Sequence, residues 1–326
     1  MLLVTVEFSR DPYYPPMRLA FGRCSRLVLA CVICVFACFV PGSAVRAWAA
    51  PAQAAQFDFG GVVRAYSLHV PAGVQHPSGL VVNLHAAGAT GQEQAALTHY
   101  DAVSDAHGFA VVYPDGVDLS WADGRGASQP DRQGIDDVGF ITALVDKLVA
   151  EFGINPGRVF ATGLSAGAFM ANRLACDRAD LFAAIAPVAG TLGVNVACNP
   201  SRPVSVLETH GTADPIVPYG GGTMTGRGGA SDILAAPAMM DRWRQVDGCQ
   251  DIPAQEVLPG GDGTETHRST YSACSAGTAV VFMRVDGGGH TWPGAPEFLS
   301  AQIVGSTTHA FDASEATWQF FNAHAR

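Results

Sequence analysis

Gly163-Leu164-Ser165-Ala166-Gly167 is the one Gly-x-Ser-x-Gly segment of the chain, and it falls between an apolar run, Val159–Thr162, and a helical pattern that opens at Ala168. A serine forced into a sharp strand-to-helix turn needs small neighbours so that strand and helix can approach. Its hydroxyl then projects above the sheet, and the next helix turns its positive end towards any oxyanion forming beside it. That is the chemistry of acyl transfer. A serine hydroxyl is a weak nucleophile, so it needs a base, and the base needs an orienting acid. Beyond an elbow of this kind the order along the chain is Ser, then Asp or Glu, then His.

Asp214 alone among the downstream acids follows directly from a buried-strand run, Val204–Leu207, in the turn His210-Gly211-Thr212-Ala213-Asp214-Pro215. Asp232, Asp241 and Asp247 fall in or near a helical pattern and read as members of a solvated face. For the base, His290 sits just past the run Val280–Val285, behind Gly287-Gly288-Gly289, in a loop able to swing the ring back over the sheet edge. His267 and His309 read as surface residues, the latter at the start of the last helix, and His210 as a brace for the acid loop. Two backbone N–H groups must hold the oxyanion: that of Ala166, right after the nucleophile, and that of Ala87, in the loop His85-Ala86-Ala87-Gly88 after the run Leu80–Leu84. His85 reads as holding this loop. Trp121 and Trp292 are candidates for the wall of a substrate pocket.

The elements that must position these groups alternate. Strand-like runs at Leu80–Leu84, Phe109–Tyr113, Val159–Thr162, Ala183–Val188, Val204–Leu207 and Val280–Val285 are separated by helical patterns. The patterns cover Gln92–Ala106, Asp136–Glu151, Ala168–Ala175, Ala235–Val246 and Ala313–His324. Such alternation predicts an α/β fold, with a mostly parallel central sheet covered by helices on both faces. Ser120–Gly134 reads as a long loop inside one domain spanning residues 50–326. With 48% hydrophobic and 15% charged residues, the 326-residue chain is globular with a sizeable core. Its net charge is −10, and five of its 19 basic residues lie in residues 1–49, so the rest of the chain is more acidic still. Such a surface repels phosphate backbones and anionic lipid, which argues against nucleic acid as a partner.

Residues 1–49 read as a secretory signal. Arg18, Arg23 and Arg26 precede an apolar run from Leu27 to Val40, Pro41-Gly42 break it, and Ala47-Trp48-Ala49 has the small-x-small form of a cleavage site. The run is too short to span a bilayer comfortably. Met17 is the better start, residues 1–16 reading as an extension. Cys38 is a poor lipoprotein acceptor because Phe36 is bulky where such signals want a small residue. Of the eight cysteines, Cys176, Cys198, Cys249 and Cys274 remain after cleavage. Four cysteines in an exported chain suggest two disulfides in one of three connectivities, the local pairing being the least demanding. Beyond residue 49 there is no CxxC or HxxxH spacing to support a metal site.

Taken together, Leu84-His85, Ser120-Trp121 with Ile135–Phe140, Ala161–Leu174, Ala183–Gly190, His210–Tyr219 and Gly288–Gly294 resemble one group of secreted esterases. That group comprises the poly(3-hydroxybutyrate) depolymerases and the feruloyl and acetylxylan esterases of carbohydrate esterase family one. The resemblance implies an α/β-hydrolase with Ser165, Asp214 and His290 as triad, no cofactor, and the pairs Cys176–Cys198 and Cys249–Cys274. The chain departs from the group in two places. His85-Ala86 stands where a His-Gly is usual, and relatives often carry cysteines near Gly126–Asp131. The expected substrate is a small or oligomeric ester: a hydroxyalkanoate oligomer, or a feruloyl or acetyl ester of polysaccharide. The short stretch after His290 has room for a last helix and no polymer-binding module. The contrasting reading is a non-catalytic cell-envelope binding protein, which rests on His85-Ala86 alone. Oligomeric state leaves no trace in the sequence.

Overall fold

A computed structural model of the protein describes residues 52–260 and 262–326. The expected signal segment, with Met17 and Cys38, lies outside the described residues. In chain order, the first half runs β1 (Gln53–Phe59), β2 (Val62–His69), β3 (Leu80–Leu84), α1 (Gly91–Thr98), α2 (Tyr100–His107), β4 (Ala110–Pro114), α3 (Gln129–Gln133), α4 (Asp137–Phe152), β5 (Val159–Leu164) and α5 (Ala166–Asp177). The second half runs β6 (Ala184–Val188), β7 (Ser205–Gly211), β8 (Gly222–Gly226), β9 (Gly229–Ile233), α6 (Ala236–Val246), β10 (Ala254–Pro259), β11 (Glu265–Tyr271), β12 (Val280–Asp286), α7 (Ala301–Val304) and α8 (Ala313–Ala323).

Ten strands form one sheet in the order β1-β2-β4-β3-β5-β6-β7-β12-β11-β10. The centre, from β4 to β12, is parallel, and the two flanks are antiparallel. Burial explains the difference. Strands β3, β4, β5, β6 and β7 are buried at every position, as a strand covered on both faces must be. The edge strands β1 and β10 are exposed or half-buried and mix polar with apolar residues, so no continuous apolar run marks them. One apolar layer packs α4, α5 and α6 on the sheet through Phe140, Leu144, Met170, Leu174, Met239 and Trp243. The other packs α2 and α8 through Tyr100, Trp318 and Phe321. There Trp318 stacks on Phe109 at 3.8 Å and Phe321 on Phe160 at 4.8 Å between ring centroids.

Three details differ from the sequence expectation. The helix expected over Gln92–Ala106 is broken at His99, which takes a left-handed φ of 49°. Its first half docks by polar contacts: Gln94 Nε2 donates to Asn83 Oδ1 at 2.9 Å, and Asn83 Nδ2 donates to Thr98 Oγ1 at 3.1 Å. Asn83 is fully buried on β3 and needs those partners. Tyr100, just beyond the break, reaches Thr317 on α8 instead, 2.8 Å away. Asp247 belongs to no solvated face; it is buried at the end of α6 and accepts from the Val204 N–H at 3.1 Å. Burial pushes its carboxyl up to about 7. His309 precedes the last helix, whose N-cap is Asp312.

The Ser120–Gly134 loop contains the short helix α3 and is held by carboxylates. Asp131 accepts from the Gly124 and Gly126 N–H groups at 2.8 and 3.0 Å, so ion–dipole bonds tie the segment where relatives often use cysteines. At its base, Arg64 on β2 donates to Asp137 Oδ1 at 2.6 Å and lies 3.9 Å over the Phe140 ring. Asp137 Oδ2 accepts from the Ala122 N–H at 2.8 Å. Both charged side chains are buried. Removing one partner of a buried pair strands the other charge. Arg64→Met is expected to lower stability by about 3 kcal/mol or more, read as a fall in the denaturation midpoint by circular dichroism.

Candidate active site

Ser165 is the first turn of the site. It has φ 57° and ψ −117°, a conformation that side chains rarely adopt. Three backbone bonds hold it there: its N–H donates to Val188 O at 3.0 Å, and the N–H groups of Ala168 and Phe169 donate to its carbonyl at 2.9 and 3.0 Å. The hydroxyl makes no capping bond to α5 and stays available. Gly167 explains how the elbow is so tight. A Cβ there would lie 2.1 Å from the Leu84 carbonyl oxygen, so α5 can start against the end of β3 only with glycine.

The Asp214 and His290 loops are sewn together by their backbones. Thr212 N–H donates to Val285 O and Ala213 N–H to Gly288 O, both at 2.9 Å. The approach again depends on glycine, since a Cβ on Gly211 would meet Gly288 O at 2.2 Å. His290 Nδ1 donates to Asp214 Oδ2 at 2.8 Å, and Asp214 Oδ1 accepts from the Ile216 and Val217 N–H groups, both at 2.8 Å. The Asp214 carboxylate is buried with both oxygens engaged.

Behind the end of β3, His85 Nε2 accepts from the Gly116 N–H at 2.9 Å. Its Nδ1 therefore carries the hydrogen and donates to Ala86 O at 2.8 Å. Burial lowers the His85 pKa, which keeps this neutral tautomer in place. Ala86 takes no left-handed angle; the positive φ of this loop, 85°, falls on Gly88. The alanine that stands where a glycine is usual is thus accommodated without backbone strain.

A cavity of about 430 Å³ brings Ala87, Ser165, Ala166, His290 and Trp292 to one wall. Trp121 is not among its lining residues. Correcting the sequence expectation, Trp121 is fully buried, packs 4.7 Å from the His85 ring and donates from Nε1 to His85 O at 2.9 Å. It braces the loop from behind. Another part of the lining was missed by sequence reading: it is the β8–β9 hairpin, whose Met224–Gly229 segment faces the cavity. Thr223-Met224-Thr225 followed by Arg227-Gly228-Gly229 is an alternating run ending in a glycine turn, which was the available signal. The hairpin tip is fastened across the mouth, Arg227 to Asp118 and Arg132 to Gly228 O at 2.8 Å.

The charged side chains of the lining are compensated. Glu93 accepts from the Thr90 N–H at 2.8 Å, Arg125 binds Asp123 at 2.7 Å over the face of Phe169, and Arg227 pairs with Asp118. Most of the remaining lining is apolar, with Leu97, Leu164, Phe169, Ile216 and Leu299, beside the hydroxyl residues Thr225, Thr291 and Thr307. The two disulfides, Cys176–Cys198 and Cys249–Cys274, lie outside the cavity.

A parallel-centred sheet carrying a strained serine between strand and helix, with a buried histidine–carboxylate pair at the same edge, defines an α/β-hydrolase, and the comparisons with known proteins agree. Residues 64–218 match the family described as esterase PHB depolymerase, to which the chain belongs. It is 32% identical over 275 residues to a Nocardia uniformis subsp. tsuyamanensis protein named as an esterase, NocK, covering 80% of this chain and 79% of that one. It is 28% identical over 268 residues to feruloyl esterase C of Emericella nidulans, with 80% and 84% covered. In fold it is similar to an acetyl xylan esterase from Aspergillus awamori, with a TM-score of 0.55 at 18% identity over 80% of this chain and 94% of the other. The protein is accordingly a carboxylic ester hydrolase.

The packing at the elbow yields a test. Gly167→Ala should push α5 away from the Leu84 carbonyl, costing about 1–3 kcal/mol of stability. Esterase activity should fall by more than that destabilisation explains, as measured on folded protein with p-nitrophenyl acetate.

Proposed function

We propose that the protein is a secreted serine esterase in which Ser165 is the nucleophile, His290 the general base and Asp214 its orienting acid. The carrying observation is the strained Ser165 opening onto the same cavity as a His290 ring whose other nitrogen is bonded to Asp214 at 2.8 Å. His290 takes the Ser165 proton as the oxygen attacks the ester carbonyl. The N–H groups of Ala87 and Ala166 receive the oxyanion, and His290 returns the proton to the departing alcohol. Water, deprotonated by the same ring, then releases the acid and restores the serine. Asp214 holds the ring with Nε2 turned to the serine and stabilises the imidazolium.

The mostly apolar cavity suits an uncharged ester with an apolar acyl or alcohol part. With the relatives named above, this favours hydroxyalkanoate oligomers and feruloyl or acetyl esters of polysaccharide, with Trp292 on the pocket wall. Export is supported by two disulfides, which persist in oxidising compartments. The binding-protein reading loses its one support, because Ala86 sits without a left-handed angle.

An organophosphate should add once to the wild type and not to Ser165→Ala in intact-mass spectra. In steady-state assays Ser165→Ala should lose about 10⁶-fold in kcat and Asp214→Asn about 10⁴-fold; activity retained in either variant would reject the assignment. Side-by-side rates on p-nitrophenyl acetate, methyl ferulate and hydroxybutyrate oligomers should show preference for one of the last two. Equal indifference to both would reject the substrate proposal.

A further inference from the structure

Behind Asp214 lies a second buried pair that ester hydrolysis by the triad does not use. Glu208 and His210 stand two residues apart on β7, so they share one face of the strand, and neither side chain is accessible to solvent. Hydrogen-bond accounting fixes most of the protons. His210 Nε2 lies 3.0 Å from Val217 O, and a carbonyl only accepts, so Nε2 carries a hydrogen. The same nitrogen is 3.7 Å from Asp214 Oδ2. His210 Nδ1 faces Glu208 Oε1 at 3.2 Å, while Glu208 Oε2 has no hydrogen-bond partner among the described residues.

An unpartnered oxygen costs far less on a neutral carboxylic acid than on a buried carboxylate. The neutral acid also makes the Oε1–Nδ1 contact an O–H···N bond to a ring that already has its other hydrogen in place. Val217 is then gripped at both ends, through its carbonyl by His210 and through its N–H by Asp214 Oδ1. The chain of contacts runs from Glu208 to His210, Val217, Asp214 and His290.

We propose that Glu208 is a positioning residue of this esterase: as the neutral acid it fixes the His210 ring, which clamps the turn that presents Asp214 to His290. The proposal rests on the catalytic roles assigned above to Asp214 and His290. Loss of the Glu208 proton to solvent leaves a carboxylate facing the Nδ1 lone pair. The ring must then turn to move that lone pair away from the carboxylate, which breaks the bond to Val217 and alters the field at Asp214. Burial pushes the Glu208 carboxyl up to about 8, so the change falls within the working range of an esterase.

The other titrating member is His210 itself: burial lowers its pKa, its contacts, that with Glu208 foremost, raise it by more, and the net shift is upward, so the proton between Oε1 and Nδ1 belongs to the pair. Strand β12 places Arg284, bonded to Asp286, in register with His210. The turn after β7 contributes Asp214 itself and Tyr219, whose ring is 6.0 Å from that of His210 and whose hydroxyl is held above its usual range by burial. Helix α6 turns Met239, Met240 and Trp243 to this layer, and α5 contributes the neutral Asn172.

The test compares wild type, Glu208→Gln and Glu208→Leu across pH, with Ser165→Ala and Asp214→Asn in the same assay. Wild-type kcat/KM should decline as pH rises through about 8. Glu208→Gln keeps a donor for Nδ1 and cannot ionise, so it should lose only a few-fold in rate while the alkaline decline disappears. Glu208→Leu removes the donor and should lower kcat roughly tenfold at every pH with little change in KM. Folded-state stability supplies a second reading. Between the ordinary carboxylate range and about 8 the unfolded chain releases the Glu208 proton and the folded one keeps it, so wild-type stability falls with pH across that window. Asp247 contributes a slope of the same sign up to about 7, so Glu208→Gln should show a shallower fall than the wild type and lose it between about 7 and 8. Should neither variant fold, the infrared spectrum of Asp247→Asn, which lacks the other strongly raised carboxyl, decides: a protonated-carboxyl band must be present just below pH 8 and fade in alkali. An alkaline limb unchanged in Glu208→Gln, or the absence of that band, overturns the proposal. If Asp214→Asn or Ser165→Ala stays active, it is the catalytic assignment that falls instead.

Discussion

Close backbone approach at the carboxyl ends of the parallel strands is the constraint on which this molecule depends. Helix α5 begins against the Leu84 carbonyl, and the turn after β7 begins against the Gly288 carbonyl, at distances that leave no room for a Cβ. The first contact forces Ser165 into its left-handed elbow, and the second brings the Asp214 turn to the His290 loop. Both sit at the edge where an open parallel sheet presents its ligand site. Neither contact could be made by a larger residue, since a methyl group driven into a carbonyl oxygen displaces whole elements rather than one side chain.

Around that edge the protein uses polar groups as internal scaffolding. His85 is held as a neutral tautomer between Gly116 and Ala86, Trp121 braces it from behind, and Asp131 ties the neighbouring loop. Buried polar groups of this kind are costly unless fully partnered, and when partnered they specify one arrangement. The cavity wall is mostly apolar, and each of its charged residues is engaged by a neighbour. Rigid polar bonds therefore lie behind the candidate site, while its lining is mostly apolar.

The sequence was most legible where signals are local. Fully buried strands read as unbroken apolar runs, and the glycine-flanked serine read as a strand-to-helix turn; β3, β5 and α5 lie where those patterns put them. Edge strands β1 and β10 were hard to read, because an exposed strand has no need of apolar residues. Asp247 was misread because helical spacing says nothing of the surroundings beyond the end of a helix, and here those are the buried start of β7. Trp121 was misread for a related reason: an aromatic residue beside a glycine-rich loop looks the same whether it faces a cavity or the loop's own backbone.

By itself the chain determined its layered α/β architecture, the elbow serine, the acid and histidine that come after strands, and an even set of four cysteines beyond residue 49. These arise from periodicity, from the conformational demands of glycine and from counting. Tertiary structure alone decided that His290 meets Asp214, that the β8–β9 hairpin closes one side of the cavity, and that Glu208 and His210 share a buried bond to the Asp214 turn. Each joins segments through space or depends on which face of a strand is dry, and such partners leave no mark in the spacing of neighbouring residues.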